Sequence, residues 1–170
     1  MFFYIIVGLV IIQRLVELVI AKKNEKKSLA AGGIEYDKKG YSVIVVMHIM
    51  FFISFITEYF YFERTLNKFW IVFLILFIAA QVLRYWAIAS LGSMWNTRII
   101  IVPGSNLVQY GPYRYFKHPN YMAVITELAV LPLMFSCFFT AIIFSAVNLL
   151  LLKRRIAIEE DALNELVSEN

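Results

Sequence analysis

From Tyr121 to Leu152 the chain reads YMAVITELAVLPLMFSCFFTAIIFSAVNLLLL, and this run decides the architecture. Its only charge is Glu127. It is longer than the roughly 20 apolar residues one membrane-crossing helix needs. Pro132 and Ser136 fall near its middle, so it reads as two shorter helices with a hairpin tip between them. A polar knot stands at each end. Ahead lies Gly111-Pro112-Tyr113-Arg114-Tyr115-Phe116-Lys117-His118-Pro119-Asn120-Tyr121, and behind lies Arg154-Arg155-Ile156-Ala157-Ile158-Glu159-Glu160-Asp161. A hairpin returns both ends to one membrane face, where the two knots can share a ligand.

Composition agrees with a membrane chain. Hydrophobic residues make up 61% and charged residues 16%, with a mean hydropathy of +0.73, which excludes a soluble domain. Apolar stretches at 1–21, 41–61 and 68–91 precede the hairpin halves 119–135 and 136–152, and a cytoplasmic helix is expected over 153–167. The expected fold is therefore an all-α integral membrane protein, one domain over residues 1–170, with five transmembrane helices and the last two as a hairpin. The first stretch is too long for a cleaved signal peptide and lacks a small-residue cleavage site. The single cysteine, Cys137, excludes a disulfide framework.

Lys and Arg placement gives the orientation, because basic loops stay cytoplasmic. The first loop holds Lys22, Lys23, Lys26, Lys27, Lys38 and Lys39. The third holds Arg98, Arg114 and Lys117, and the tail opens Lys153-Arg154-Arg155. In the second connection Glu58, Glu63, Arg64 and Lys68 cancel. Five spans then put the N-terminus outside, with the C-terminus and both polar knots in the cytoplasm. The net charge of +4 follows from this rule and gives no argument for nucleic acid.

Within the first knot, Pro119 suits the first turn of a helix, where its missing N–H costs nothing. His118 then stands at the helix mouth and Tyr121 lies on the same face. Unpaired N–H groups at such a helix start suit a carboxylate or sugar oxygen. Tyr113, Tyr115, Phe116 and Tyr121 fit equally an aromatic belt at headgroup depth. Arg155 and Glu159, spaced i and i+4, fit an ordinary surface ion pair as well as a site. Inside the spans, Arg14 with Glu17 reads as a structural pair and His48 as a helix-contact histidine. Glu127 reads either as interhelical glue, with Asn148 as a partner, or as a channel wall. Gly-x-Gly-x-x-Gly, Gly-x-Ser-x-Gly and metal-ligand spacings are all absent, so no metal site is expected.

The two knots together resemble the isoprenylcysteine carboxyl methyltransferase family of integral membrane enzymes. That family carries Gly-x-Tyr-x-x-x-Arg-His-Pro-x-Tyr and, after its final membrane helix, Arg-x-x-x-Glu-Glu. Here they stand as Gly111 through Tyr121 and as Arg155 through Glu159-Glu160, within a similarity over roughly residues 95–163. Lys117 replaces the usual Arg before the histidine, and Ala123 stands where a Gly often follows. The resemblance implies S-adenosylmethionine as cofactor, held by Ser105, Asn106, Leu107, Val108, Tyr113, His118, Pro119, Asn120, Tyr121 and Glu159, with Arg155 orienting the substrate. It also implies methyl transfer to the acidic oxygen of a lipophilic acceptor, a prenylcysteine or, as in small bacterial members, a long-chain alkylpyrone. Membrane lipid is the other expected partner. Two rivals are an NADPH-dependent reductase, since sterol reductases carry a similar His-Pro-Asn-Tyr, and a non-catalytic adaptor whose basic loop binds anionic lipid.

Overall fold

The computed structural model describes residues 1–105 and 108–168, excepting the side chains of 166–168. Five helices dominate it: α1 (Phe2–Ala30), α2 (Lys38–Tyr61), α3 (Trp70–Leu91), α4 (Pro119–Met134) and α5 (Phe138–Ser168). The first three are long and apolar enough to cross a membrane, and only 22% of each apolar window is buried inside the protein. The remainder faces outward, with Leu9, Ile12, Val19, Ile75 and Val82 all more than half exposed. Such a surface is stable only against lipid.

The other two helices differ in detail from expectation. α4 is 16 residues long, about 24 Å at the helical rise, shorter than a ~30 Å hydrocarbon core. α5 does not break at Lys153 into a separate tail helix but runs 31 residues without interruption. Nothing between Lys153 and Ser168 is Gly or Pro, and Arg, Ile, Ala, Glu and Leu all propagate a helix. α1 likewise continues through the basic segment Lys22–Lys27. The fold is also not wholly helical. β1 (Ile34–Tyr36) and β2 (Ile99–Ile101) form an antiparallel ribbon pairing Ile34 with Ile101 and Tyr36 with Ile99. The β-branched run Ile99-Ile100-Ile101 favours an extended strand. The ribbon joins the α1–α2 connection to the α3–α4 connection.

Along the bundle three layers succeed one another. At the turn between α4 and α5, Phe3, Phe55, Leu131, Met134 and Phe135 form the apolar core. Phe3 stacks on Tyr59 with ring centroids 3.7 Å apart and meets Phe55 and Phe135 edge-on. Glu58 holds the start of α5 here, accepting the N–H groups of Phe139 (3.2 Å) and Thr140 (2.7 Å) and pairing with Arg64. Those N–H groups lack intrahelical partners, so the carboxylate caps the helix.

The middle layer is polar. Arg14 binds Glu17 at 2.6 Å and also bonds Glu127. Arg84 binds Glu127 at 2.9 Å and Glu17 at 3.4 Å, while Gln81 donates to Glu127 at 3.0 Å. Gln13 donates to both Glu17 and the Gln81 side-chain oxygen Oε1. Two guanidiniums thus face two carboxylates across α1, α3 and α4, and the net charge is zero. The Arg14–Glu17 pair stands as expected, embedded in a larger network. Asn148 does not hydrogen-bond Glu127, whose oxygens accept from Arg14, Arg84 and Gln81, and its Nδ2 is buried without a partner among the described residues. His48 bonds the Ile44 carbonyl of its own helix at 2.9 Å. The third layer, at the opposite end from the core, holds the two polar knots.

Removing one partner of a buried pair leaves an uncompensated charge, at a cost of about 3–5 kcal/mol. Glu127→Ala is therefore expected to lower unfolding free energy in detergent by that amount. Glu160→Ala, at the exposed end, is expected to change it little, and thermal unfolding of both variants is the check.

Candidate functional site

The α3–α4 connection turns into α4 through Gly111, whose φ is +62°. A Cβ there would lie 2.1 Å from the Ser90 hydroxyl, so only glycine lets the strand of chain pass α3. His118 is the residue before the helix and Pro119 its first residue, as the sequence predicts. The His118 and Tyr121 rings stack with centroids 5.3 Å apart and planes 18° from parallel.

α5 supplies the other half. The Tyr121 hydroxyl donates to Glu159 Oε2 at 2.5 Å and accepts from Arg155 Nε at 2.9 Å. Arg155, only 7% exposed, also donates from Nη2 to the Thr97 carbonyl at 2.8 Å. Glu160 meets Lys117 Nζ at 2.6 Å and His118 Nε2 at 3.1 Å. The two knots therefore interlock through their own side chains. Arg155 and Glu159 do not form the direct ion pair their spacing allows; a phenol from α4 stands between them. Lys117 serves Glu160 as a point charge, a role that needs no guanidinium fork.

Charge placement shifts the titrations. Hydrogen bonds from Lys117 and then His118 hold the Glu160 carboxyl below the usual range. Burial, with the neighbouring Glu159 charge, pushes the Tyr113 phenol up, so it stays protonated beside the carboxylate. The Asn120 Oδ1 atom is buried without a hydrogen-bond partner, which marks an acceptor awaiting a donor.

The upstream segment is less engaged. Ser105 turns its hydroxyl back to the Val102 carbonyl at 2.7 Å, away from the His118–Tyr121 pair. Val108 is half-buried and makes no hydrogen bond among the described residues. Asn106 and Leu107 lie outside the described residues. Gly104, at φ +74°, forms the expected turn after Pro103.

Several supports have no local signature. Arg154 grips Asp37 with two bonds of 2.7 and 2.8 Å, one residue before Arg155. Asp37 also accepts the Gly40 N–H at 3.1 Å, capping α2. A side chain at Gly40 would meet both Asp37 and Arg154 within 2.5 Å. Arg98 binds Glu35 at 2.7 Å and Glu25 at 3.6 Å and covers the Tyr41 ring. Of these, only the Asp37 cap is foreshadowed locally, by an Asp at a helix start.

A membrane bundle with a charge-balanced buried cluster and interlocked His-Pro-x-Tyr and Arg-x-x-x-Glu-Glu segments is what the resemblance to membrane methyltransferases leads one to expect. Residues 72–165, more than half the chain, match the sequence model of the isoprenylcysteine carboxyl methyltransferase (ICMT) family, and the chain belongs to that family. Across 163 residues it is 40% identical to YpbQ, an uncharacterized protein of Bacillus subtilis (strain 168), covering 96% of this chain and 97% of the relative. It is 29% identical over 154 residues to an uncharacterized protein of Haemophilus influenzae, covering 90% of each. No solved structure matches the chain. Members of the family use S-adenosylmethionine. The match begins within α3, so α1, β1 and α2 lie outside it.

The Asp37–Arg154 bridge carries a pH signature. The Arg154 bonds hold the Asp37 carboxyl below its ordinary value. A depressed folded-state pKa contributes stability above the ordinary carboxylate range, and that contribution is lost as pH falls through the lowered value. Asp37→Asn is expected to be less stable than the wild type at pH 7, with the gap closing below about pH 4. Unfolding curves measured between pH 3 and 8 test this.

Proposed function

We propose that the protein is an S-adenosylmethionine-dependent O-methyltransferase acting on the acidic oxygen of a lipophilic acceptor, a prenylcysteine carboxylate or a long-chain enol such as an alkylpyrone. The observation that carries the reading is the Tyr121 hydroxyl standing between Arg155 and Glu159 at one end of the bundle. Five passes, counting α4 and the first half of α5 as a short hairpin, put that end on the cytoplasmic side, with the N-terminus outside.

The residues fit the cofactor by their chemistry. Glu159 keeps Oε1 free of hydrogen bonds among the described residues, and a carboxylate suits the ammonium of a methionine moiety. Asn120 Oδ1 awaits a donor, and the stacked His118–Tyr121 pair offers an aromatic wall. Pro119 fixes the helix start beneath them. Ser105, Asn106, Leu107, Val108 and Tyr113 complete the proposed cofactor side. S-adenosylmethionine supplies, when bound, a methyl group on a sulfonium.

Arg155 is already fixed through Nε and Nη2, and its Nη1 makes no hydrogen bond among the described residues. That atom is the donor for the acceptor's anionic oxygen. An acid of this kind is ionised near neutral pH, so the chain needs no strong general base. Its task is to orient two reactants and exclude water, which an oily helical bundle does well. Tyr113, kept protonated, adds no competing anion beside Glu159.

A reductase would ask Glu127 to serve chemistry next to Asn120. Both Glu127 oxygens are occupied by Arg14, Arg84 and Gln81, which favours the methyltransferase reading.

Calorimetric titration with S-adenosylhomocysteine, run in parallel with NADPH, is the test. Binding of the former is expected, weakened roughly 10- to 100-fold in Glu159→Ala by loss of a charged hydrogen bond. Arg155→Ala is expected to keep cofactor binding and lose turnover. Binding of NADPH alone would sink the proposal, and loss of cofactor binding in Arg155→Ala would reverse the role assignment.

A further inference from the structure

Beside the junction of α1 with the ribbon lies a groove of about 310 Å³, outside the region that matches the family, except for its Thr97–Arg98 wall. Leu18, Lys22, Glu25 and Lys26 line it from α1, Tyr41 from the first turns of α2, and Arg98 from the approach to β2. The charges in it are unequally matched. Arg98 is neutralised by Glu35 and Glu25, and its guanidinium lies 4.8 Å above the Tyr41 ring. Lys22 and Lys26 have no partner among the described residues, and both are exposed. Two ammonium groups, one helical turn apart, therefore face an open groove whose lining carboxylate, Glu25, is turned to Arg98.

The helix continues this pair into the membrane. Ile11, Leu15, Leu18, Lys22 and Lys26 recur every three or four residues and share one stripe of α1. Its apolar members are 37%, 58% and 44% exposed, so the stripe is open along its length. Tyr41 stands beside the lysines, and tyrosines gather at headgroup depth. From Leu18 to Lys22 the helix rises about 6 Å, so the cations begin about one turn beyond the last apolar member of the stripe. A ligand matching this stripe has an anionic head at Lys22–Lys26 and an alkyl chain along Leu18, Leu15 and Ile11.

We infer that this groove binds an anionic glycerophospholipid, with Lys22 and Lys26 holding its phosphate and one acyl chain lying along Ile11, Leu15 and Leu18. A soluble phosphate would use the lysines and leave the apolar stripe unexplained. Diffuse attraction to a charged surface would use all four lysines of the α1 extension alike. Lys23 and Lys27 point about 100° round the helix from the groove, and Lys27 lines a separate hollow with Met94 and Ser105. They provide a control of equal charge.

The test is native mass spectrometry of the full chain from detergent micelles doped with phosphatidylglycerol or phosphatidylcholine, paired with thermal unfolding. The wild type is expected to retain one phosphatidylglycerol and be stabilised by it. Lys22→Gln/Lys26→Gln is expected to bind it roughly 30-fold more weakly, from about 1 kcal/mol per basic residue at a membrane surface. Lys23→Gln/Lys27→Gln is expected to bind as the wild type does. Equal loss in both double variants overturns the inference in favour of diffuse charge. Equal retention of phosphatidylcholine by the wild type overturns it in favour of apolar contact alone. Stabilisation by inorganic phosphate equal to that by phosphatidylglycerol overturns it in favour of a soluble anion.

Discussion

An ionised group inside hydrocarbon has to be neutralised by the protein itself, and the bundle is organised around that requirement. Arg14, Glu17, Arg84 and Glu127 satisfy it only when α1, α3 and α4 stand at one depth and one rotation. A shift of a helix by one residue would swing its charged group about 100° out of the cluster. Apolar packing alone is a weaker guide here, because lipid competes with protein for the same side chains. The consequence reaches the site. With Glu127 committed to α1 and α3, Tyr121 lies six residues earlier and about 120° round α4. That rotation faces it toward α5, where Arg155 and Glu159 stand.

α5 is held at its start and at its middle by charges from elsewhere. Glu58 caps its first turn at the core end, and Asp37 grips Arg154 halfway along. Because the helix is continuous, these anchors fix the axial position of Arg155, Glu159 and Glu160 relative to α4. The ribbon contributes a third restraint, since Thr97 offers its carbonyl to Arg155 two residues before β2. Segments outside the family match, β1 and Asp37 among them, thus brace residues inside it.

Helix positions and the site motifs were legible in the sequence because each depends on neighbours a few residues apart. Pro119 at a helix start, the turn at Pro132–Ser136 and the i, i+4 pair on α5 are all local statements. The helix expected over 153–167 is present as the continuation of α5, since nothing in Lys153–Ser168 breaks a helix. The ribbon, the Arg98 pairs and the Asp37–Arg154 bridge join residues far apart in the chain, and no local pattern encodes such pairings. A backbone acceptor such as Thr97 O leaves no trace in side-chain identity. Helix faces alone bring Asn148 toward Glu127, but Arg84 and Gln81 on α3 reach the same carboxylate, and no local pattern shows it.

The interposed phenol decides what the site can do. Left to helix geometry, Arg155 and Glu159 would close on each other and spend their charges internally. Tyr121 accepts from one and donates to the other, so neither charge is uncompensated and neither is exhausted. Arg155 retains Nη1 and Glu159 retains Oε1, two polar atoms of opposite character held by one hydroxyl. In the proposed reaction, an anionic acceptor and a cationic donor are then held side by side without their binding groups neutralising each other. Preorganisation of this kind requires rigid supports more than acid or base strength. The supports are present: a capped α5, a proline-started α4 and the Thr97 carbonyl behind the guanidinium.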